Sequence, residues 1–391
     1  MNTLFDSGKR SLAFLAAMLV TAIPALAASE SVIHNFGHMP DAYGPRCGLV
    51  LDAAGNMYGT TFSGGVNDFG TIFKVTSTGA ETVVYSFASV AGGVDGTHPI
   101  AGLFIDKKNG ILYGTTLSGG STNNGTVFSF NPATGIQSVL YSFQGGADGY
   151  LPYSGVVRAG TNLFGMTNAG GASGYGTIYK LTAAGKKTIL HDFNSAFPTL
   201  DGSFPYASLV LYKGVLYGTT TGGGANNVGT VFSITKTGTY TMLYSFKGGV
   251  GDGQTPYGGV VFDTSGNLYG TTFGGGVDNA GVVYKLSAGG GGETVLHHFL
   301  RNGTDGINPY AGLIRFKGSF YGTTRQGGSA NLGTVFKVTP AGGENVVYEF
   351  AVTADGHYPF GALLVGADKA LYGLTDAGGT SDLGTVFRLV P

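Results

Sequence analysis

Hydrophobic residues occur along this chain in short runs that are separated by glycine-rich and asparagine-rich segments. The second half of the chain shows the pattern well, with four such runs at 257–263, 267–272, 281–286 and 293–299. The runs are rich in β-branched and aromatic residues, and no helical periodicity competes with them, so each predicts a β-strand. Because the runs are apolar on both faces, they predict sheets that are covered on both sides.

The same pattern of four runs recurs seven times, and four motifs mark each copy. A Y-G-T-T motif begins at Tyr58, Tyr113, Phe164, Tyr217, Tyr269, Tyr321 and Tyr372, at intervals of 51 to 55 residues. Twelve residues later a G-T-V-F motif begins, at Gly70, Gly125, Gly176, Gly229, Gly281, Gly333 and Gly384. A D-G-x-x-P motif begins at Asp41, Asp95, Asp148, Asp201, Asp252, Asp305 and Asp355, with Ala42 replacing the glycine of the first copy. An aromatic motif of the Y-S-F type ends at Phe36, Phe87, Phe143, Phe193, Phe246, Phe299 and Phe350.

Four-stranded units of this length, repeated seven times, are typical of a β-propeller. We therefore predict an all-β fold, a seven-bladed β-propeller with four strands per blade, and an open β-solenoid is the alternative. The chain ends with the third strand of its seventh unit and begins, at 31–36, with an unpaired fourth strand. We expect this N-terminal strand to complete the last blade and close the ring, because closure removes a free sheet edge. Glycine inside the second strand, at Gly59, Gly114 and Gly270, predicts the close approach of a neighbouring sheet.

The composition fits this architecture and limits the function. Glycine accounts for 72 of the 391 residues and charged residues for only 11%, as expected for many turns between buried strands. The formal net charge of −1 argues against a nucleic-acid partner, which requires a basic face. Cys47 is the only cysteine, so no intramolecular disulfide is expected.

The first 27 residues have the pattern of a secretory signal peptide. A basic pair at 9–10 precedes an apolar segment at 11–23, and a small-residue cleavage site ends at Ala27. The apolar segment is too short to span a bilayer. We therefore predict a signal peptide at 1–27 and a single propeller domain at 28–391, which is secreted or periplasmic and has no membrane span.

The repeats resemble a known family. The segments LYGTTLSGGSTNNGTVF at 112–128 and LYGTTTGGGANNVGTVF at 216–232 are similar to the GloVer (Gloeo/Verruco) tandem repeats of exported bacterial proteins. Members are called choice-of-anchor proteins because they carry different C-terminal anchors. The resemblance covers essentially the whole mature chain and implies a bacterial, exported repeat protein, but it implies no catalytic residues. This chain ends at Pro391 inside its last blade without an anchor, so we expect it to be free rather than attached.

The D-G-x-x-P loops lead into the first strand, which lines the central axis of a propeller. We expect their variable residues to converge at the mouth of the channel and to form the best candidate for a small-ligand site: His98, Tyr150, Gln254, Asn308 and His357. The aspartates of these loops are interpreted as Asx turns, with calcium binding as the alternative. We predict no cofactor and no other metal site.

Two sets of recurring aromatic positions have structural interpretations. His34, His191 and His297 stand where other units have tyrosine on the fourth strand, so we interpret them as substitutes for tyrosine. An aromatic residue follows the proline in five units, at Tyr153, Tyr206, Tyr257, Tyr310 and Phe360. These rings are expected to pack between blades, and stacking on sugar rings is the alternative, although the lack of tryptophan weakens it.

Three charged residues break the repeat close to the point where the ring closes. Arg325 and Asp376 follow Y-G-T-T in units six and seven, and Arg46 stands in unit one where other units have an aromatic residue or isoleucine after the proline. We predict that they form one asymmetric polar patch. Drift of surface residues is the alternative.

Two functions from different classes fit these observations. The first is a monomeric binding or interaction module whose loop face contacts an extracellular glycan or protein. The second is a polysaccharide lyase or hydrolase, which requires paired carboxylates or a His–carboxylate pair at one place on the channel mouth. The sequence shows aspartates at symmetric turns instead, so we favour the binding module. A purely structural surface protein is a third alternative.

Overall fold

A computed structural model describes residues 28–87, 94–194 and 201–391. The predicted signal peptide at 1–27 lies outside the described residues. The described chain forms seven antiparallel four-stranded sheets, which are the blades of the predicted β-propeller. No helix in these ranges has the length and hydrophobicity that crossing a membrane requires.

We number the blades 1 to 7 along the chain and call their strands inner, second, third and outer, from the axis to the rim. The inner strands are Val50–Leu51, Phe104–Ile105, Val157–Ala159, Val210–Tyr212, Val261–Phe262, Ile314–Phe316 and Leu364–Val365. The second strands are Met57–Thr61, Leu112–Thr116, Asn162–Thr167, Val215–Gly223, Leu268–Thr272, Ser319–Thr324 and Leu371–Ala377. The third strands are Thr71–Val75, Thr126–Asn131, Thr177–Leu181, Thr230–Ile234, Val282–Leu286, Thr334–Val338 and Thr385–Val390. The outer strands are Glu81–Ser86, Ile136–Ser142, Lys187–Asp192, Tyr240–Ser245, Thr294–His298, Glu344–Glu349 and, for blade 7, Ser29–Asn35.

The D-G-x-x-P loops form shorter elements. Five of them pair with the chain that follows or ends the second strand: Ala42–Tyr43 with Ser63–Gly64, Gly202–Pro205 with Val215–Gly223, Gly253–Gln254 with Gly274–Gly275, Gly306–Ile307 with Gln326–Gly327, and His357–Pro359 with Leu371–Ala377. The other two loops form single bridges, Thr97 to Ser118 and Tyr150 to Ala169. Short 3-10 turns begin the loops of blades 3 and 7, at Gly146–Asp148 and Thr353–Asp355. These contacts hold each loop against its own blade.

The ring closes in the way that the order of the motifs predicts. Ser29–Asn35 pairs antiparallel with Thr385–Val390, with Ser31 opposite Arg388. Side-chain packing crosses the same junction, because buried Phe36 belongs to one hydrophobic cluster with residues of blades 1 and 7. The N-terminal strand therefore completes blade 7 and joins it to blade 1, so we call this junction the seam.

The inner strands are shorter than the sequence predicts. The run at 257–263 forms a ladder only at Val261–Phe262. The preceding segment instead lies against the inner segments of other blades: a Cβ at Gly258 would stand 2.7 Å from the Gly312 nitrogen. Crowding of seven backbones around one axis explains why small residues are found here.

Glycine in the second strand also differs from its predicted role. A Cβ at Gly59 would lie 2.5 Å from Cζ of Phe73, which is the residue directly opposite on the third strand of the same blade. Gly114 faces Phe128 in the same way. The predicted close approach of a neighbouring sheet is therefore wrong at these positions. The glycine makes room for an aromatic ring of its own sheet, which covers the bare backbone.

Candidate functional site at the axial channel

The residue after the proline of each D-G-x-x-P loop faces the axis. Together with the inner segments, these residues line a cavity of about 390 Å³: Arg46, Ile100, Tyr153, Tyr206, Tyr257, Tyr310 and Phe360. The proline stiffens the entry into the inner strand, and the small residues that follow it let the blades approach the axis. The repeat thus places seven side chains in one layer at the end of the channel where the loops lie.

Five of these side chains pack on one another, and we call Tyr153, Tyr206, Tyr257, Tyr310 and Phe360 the aromatic cluster. Tyr153 stacks on Tyr206 with ring centroids 4.8 Å apart, and Tyr257 stacks on Tyr310 at 4.4 Å. Tyr206 and Tyr310 come from blades that are not adjacent, yet their centroids lie 5.5 Å apart. The rings therefore meet across the axis, in agreement with the expected packing between blades. All five are only partly buried, so the cluster also presents aromatic surface.

Two tyrosine hydroxyls of the cluster, those of Tyr206 and Tyr310, stay protonated at neutral pH. Burial raises the pKa of Tyr206 to about 12, and burial also raises the pKa of Tyr310. A neutral phenol can donate and accept a hydrogen bond. The cluster thus combines apolar ring faces with fixed polar hydroxyls.

The three charged residues that break the repeat lie in blades 1, 6 and 7. Arg46 Nε is 2.9 Å from Asp376 Oδ1, so these two form an ion pair across the seam. The Arg46 guanidinium also lies 5.1 Å from the centroid of Phe62. Arg325 lies 5.7 Å from the ring centroid of Tyr358, and its Nε is buried without a hydrogen-bond partner. Arg46 and Asp376 are therefore in contact, while Arg325 packs on a ring of the blade 7 loop.

The five residues expected at the channel mouth do not line the axial cavity. Their contacts hold separate loops. His98 packs on the rings of Phe62 and Phe69 in blade 1, and the Asn308 side-chain amide donates to the Phe273 carbonyl at 2.8 Å.

The other three lie against the glycine-rich loop of their own blade. Tyr150 forms a bridge to Ala169, the Gln254 amide donates to Asn279 at 3.1 Å, and His357 Nε2 lies 3.5 Å from Asp382. The two variable positions of D-G-x-x-P differ in backbone conformation, which explains where these side chains lie. The first x pairs with the loop, and the second has a left-handed backbone and donates its N–H to the preceding blade, as His98 does to Phe69.

A polar group of three side chains lies between each pair of adjacent blades, and we call these groups the inter-blade triads. Each contains a Tyr or His from one outer strand, the Asp of the following D-G-x-x-P loop, and a residue near the start of the next outer strand. The seven triads are His34–Asp41–Glu81, Tyr85–Asp95–Gln137, Tyr141–Asp148–Lys187, His191–Asp201–Tyr240, Tyr244–Asp252–Glu293, His297–Asp305–Glu344 and Tyr348–Asp355–Glu30.

The aspartates of the triads also bind the backbone. In the loop of blade 6, the Leu300 N–H donates to Asp305 Oδ2 at 2.9 Å and the Gly306 N–H donates to Asp305 Oδ1 at 2.6 Å. Asp41 accepts in the same way from Gly37 and Ala42. The aspartates thus accept hydrogen bonds from nearby backbone N–H groups, as the Asx interpretation expects.

The third member of the triads was missed by sequence reasoning, although its signal is present. It always stands six residues before the phenylalanine of the aromatic motif, and it is glutamate in four of the seven units: Glu30, Glu81, Glu293 and Glu344. Burial and the neighbouring aspartate raise the pKa of Glu293 to about 7 and that of Glu81 to about 8. Nothing in the isolated strand shows that this residue faces a carboxylate of the preceding blade.

Two triads contain the donor atoms that a metal ion would require. In His34–Asp41–Glu81 and His297–Asp305–Glu344, one imidazole nitrogen and two carboxylate oxygens lie within 4.8 Å of one another. Burial lowers the pKa of His34, which favours the neutral imidazole that binds metals. The histidines do occupy tyrosine positions, as the sequence indicates, but in these two triads they bring a nitrogen between two carboxylates.

Comparison with solved structures supports the fold. Virginiamycin B lyase from Staphylococcus aureus is 15% identical, with a TM-score of 0.58 over 93% of this chain and 99% of that one. The extracellular domain of BT4673 from B. thetaiotaomicron is 12% identical, with a TM-score of 0.54 over 92% of this chain and 42% of that one. At such identities the likeness is one of fold alone. No curated protein matches the chain.

The repeats themselves identify the family. The model of the Gloeobacter/Verrucomicrobia repeat matches residues 22–159, 92–262 and 249–391. These matches cover every blade and agree with the resemblance of the Y-G-T-T and G-T-V-F motifs. The chain therefore belongs to the Gloeobacter/Verrucomicrobia repeat family.

Proposed function

We propose that this protein is an exported binding module that holds an extracellular glycan on the aromatic cluster at the mouth of its axial channel. The observation that carries the proposal is the cluster itself, five partly exposed rings that five consecutive blades bring to one cavity of about 390 Å³. Ligand sites are mostly apolar and aromatic, with a few placed polar groups that orient the ligand. A sugar ring has an apolar face and a polar edge, which match the ring faces and the tyrosine hydroxyls.

The broken symmetry supports a ligand with a defined orientation. Blades 3 to 7 supply aromatic rings, whereas blades 1 and 2 supply Arg46 and Ile100. The ion pair of Arg46 with Asp376 adds charged hydrogen-bonding groups on one side of the cluster. A ligand that contacts both features would bind in one orientation, although the scaffold has sevenfold repetition.

The enzyme alternative has less support from the cavity. Among the described residues that line it, Arg46 is the only Arg, Lys, Asp, Glu or His side chain. Asp376 is engaged by that arginine. A general acid and base within reach of one bound sugar would need two such groups.

The proposal is tested with residues 28–391 and a panel of soluble and insoluble polysaccharides, with and without calcium. We expect one class of glycan to bind without release of products. Tyr257→Ile introduces isoleucine, the residue that blade 2 has at the equivalent position, Ile100. This variant should weaken glycan binding by roughly tenfold, or ~1.4 kcal/mol. Tyr212→Ile is the control, because Tyr212 stacks on Phe262 and does not line the cavity.

Four outcomes would overturn the proposal. Binding that is unchanged in Tyr257→Ile would place the site elsewhere. Release of products would make the protein an enzyme, and binding to a protein partner but to no glycan would replace the ligand class. Detection of the full-length protein in the cytoplasm, uncleaved at Ala27, would contradict export.

A further inference from the structure

We propose that the triads His297–Asp305–Glu344 and His34–Asp41–Glu81 each bind a divalent transition-metal ion, for which zinc is the probe, and that the ion ties two adjacent blades together. This inference goes beyond the glycan-binding function and does not depend on it, since neither triad lines the axial cavity. It differs from the absence of metal sites that the sequence predicts.

The distances in the blade 5–6 triad suit such an ion. His297 Nε2 lies 3.0 Å from Asp305 Oδ2 and 3.8 Å from Glu344 Oε2. Nitrogen and oxygen ligands at ~2.0–2.2 Å from a tetrahedral zinc stand roughly 3.3 Å from one another. Small side-chain shifts would therefore bring the three atoms into place, with a fourth position left for water. The metal would take the place of the hydrogen bond between His297 Nε2 and Asp305 Oδ2.

Backbone hydrogen bonds orient one of the proposed metal ligands, and another has a carboxylate oxygen without a hydrogen-bond partner. The backbone N–H groups of Leu300 and Gly306 hold the Asp305 carboxylate, as supporting hydrogen bonds hold the ligands of metal sites. The Glu344 side chain is only 10% exposed, and its Oε1 is buried without a hydrogen-bond partner. A buried carboxylate oxygen without a partner is costly, and a cation would offset that cost.

The seam triad repeats this arrangement in the described chain. His34 Nε2 and Glu81 Oε1 are both buried without hydrogen-bond partners, although they lie in one group with Asp41. Since His34 belongs to the N-terminal strand and Glu81 to blade 1, an ion here would lock the strand that closes the ring. The site would thus reinforce the seam.

The other triads show what sets these two apart. In Tyr348–Asp355–Glu30 the phenol donates to Asp355 at 2.7 Å, so an O–H group occupies the place of the imidazole nitrogen. The third histidine triad has Tyr240 instead of glutamate, and its ring stacks on His191 with centroids 4.0 Å apart. The combination of one histidine with two carboxylates occurs only in the two proposed sites among the seven triads.

The test is zinc binding to untagged residues 28–391, measured by calorimetry and by metal analysis after dialysis. We expect two ions per chain, a higher Tm with zinc, and an absorption spectrum of a low-coordinate site with cobalt. His297→Tyr and His34→Tyr each convert one triad into the Tyr–Asp–Glu combination of Tyr244–Asp252–Glu293, so both variants should fold. Each should bind one ion, and the double variant should bind none.

His191→Tyr is the matched control, and it should still bind two ions. The proposal is overturned if the unaltered protein binds no zinc, or if the double variant binds as much zinc as the unaltered protein. It is also overturned if His191→Tyr removes an ion. A rise in Tm with zinc that persists in the double variant would show that the stabilising ion lies elsewhere.

Discussion

The two threonines of the Y-G-T-T motif are adjacent in sequence but make different bonds. In blade 1, the second threonine, Thr61, shares a hydrogen bond of 2.7 Å with Thr71 of G-T-V-F in the same sheet. The first, Thr60, donates to the Ala101 carbonyl of blade 2 at 3.1 Å. The fixed interval of twelve residues is thus a requirement of the cross-strand pair. In the five blades that have the first threonine, its hydroxyl bonds a carbonyl of the next blade. The sequence predicts strands here, but it does not show which hydroxyl leaves the sheet.

Replacement of the first threonine should therefore weaken a contact between blades. Thr271 is buried, and its Oγ1 donates to the Ala311 carbonyl at 2.9 Å. Thr271→Val keeps the shape but leaves that carbonyl without its donor, so the free energy of unfolding should fall by ~1–3 kcal/mol. Denaturation in urea measures the change. Thr241→Val, on an exposed position of an outer strand, should change it by less than ~0.5 kcal/mol, and equal effects would contradict the explanation.

At the scale of the element, a β-bulge recurs at the same place in the outer strand of every blade. The register with the third strand shifts at one residue in each: Ile33, Val84, Leu140, Leu190, Leu243, Leu296 and Val347. Without it, residues four apart, such as Glu81 and Tyr85, would point to the same face. The bulge breaks this alternation, so Glu81 reaches the triad of the preceding blade and Tyr85 that of the following one.

The glutamates of the triads should make stability depend on pH. Burial and Asp252 raise the pKa of Glu293 to about 7, from 4.5. Between these values the folded state holds a proton that the unfolded chain has released, so stability falls as pH rises from 4.5 to 7. Glu293→Gln copies the amide that blade 2 has at Gln137 and cannot ionise. It should be more stable than the parent at pH 8, by about 1 kcal/mol after allowance for solvent screening, and little different at pH 4.5.

Chemical denaturation at the two pH values gives the comparison. The reverse substitution, Gln137→Glu, should lose stability at pH 8 relative to pH 4.5, because it places a second carboxylate beside Asp95. If Glu293→Gln and Gln137→Glu change stability with pH in the same way, the triads are not the source of the pH dependence.

At the scale of the whole molecule, the ring depends on a strand that is remote in sequence from its partners. Ser29–Asn35 lies more than 340 residues before Thr385–Val390, yet the two pair along their length. The long loop that this pairing closes has a modest entropic cost, since that cost grows only with the logarithm of the loop length. Closure in return protects the edge of blade 7 and buries Phe36.

A circular permutation should therefore preserve the fold and its thermal stability. Residues 28–36 are moved behind Pro391 through a short glycine linker, which makes blade 7 continuous, like blade 1 with its turn at 76–80. We expect the permuted protein to be a monomer with a Tm within a few degrees of the parent. Deletion of 28–36 without reattachment should lower the Tm strongly or cause association through the exposed edge. A deletion variant that melts like the parent would contradict the closed ring.

The features that depend on the repeat could be predicted from the sequence, whereas the contacts that the loops make with one another could not. The number of blades, the four strands of each and the closure of the ring follow from the repeated motifs. The contact of Arg46 with Asp376 could be anticipated because both break the repeat at adjacent units. The positions of the His98, Gln254 and His357 side chains could not be anticipated, because loop pairing and a left-handed backbone set the direction of each side chain.

The strands, their order and the ring follow from the amino-acid sequence alone, because local apolar patterning and turn chemistry repeat in every unit and leave one strand to complete the seventh. How the blades are joined and what surrounds the axis depend on tertiary contacts. The inter-blade triads combine three residues from two blades, and a bulge chooses which blade each side chain faces. The aromatic cluster forms because seven inner segments converge on one axis, where glycine lets the backbones approach and the side chains after the prolines project into the axial cavity.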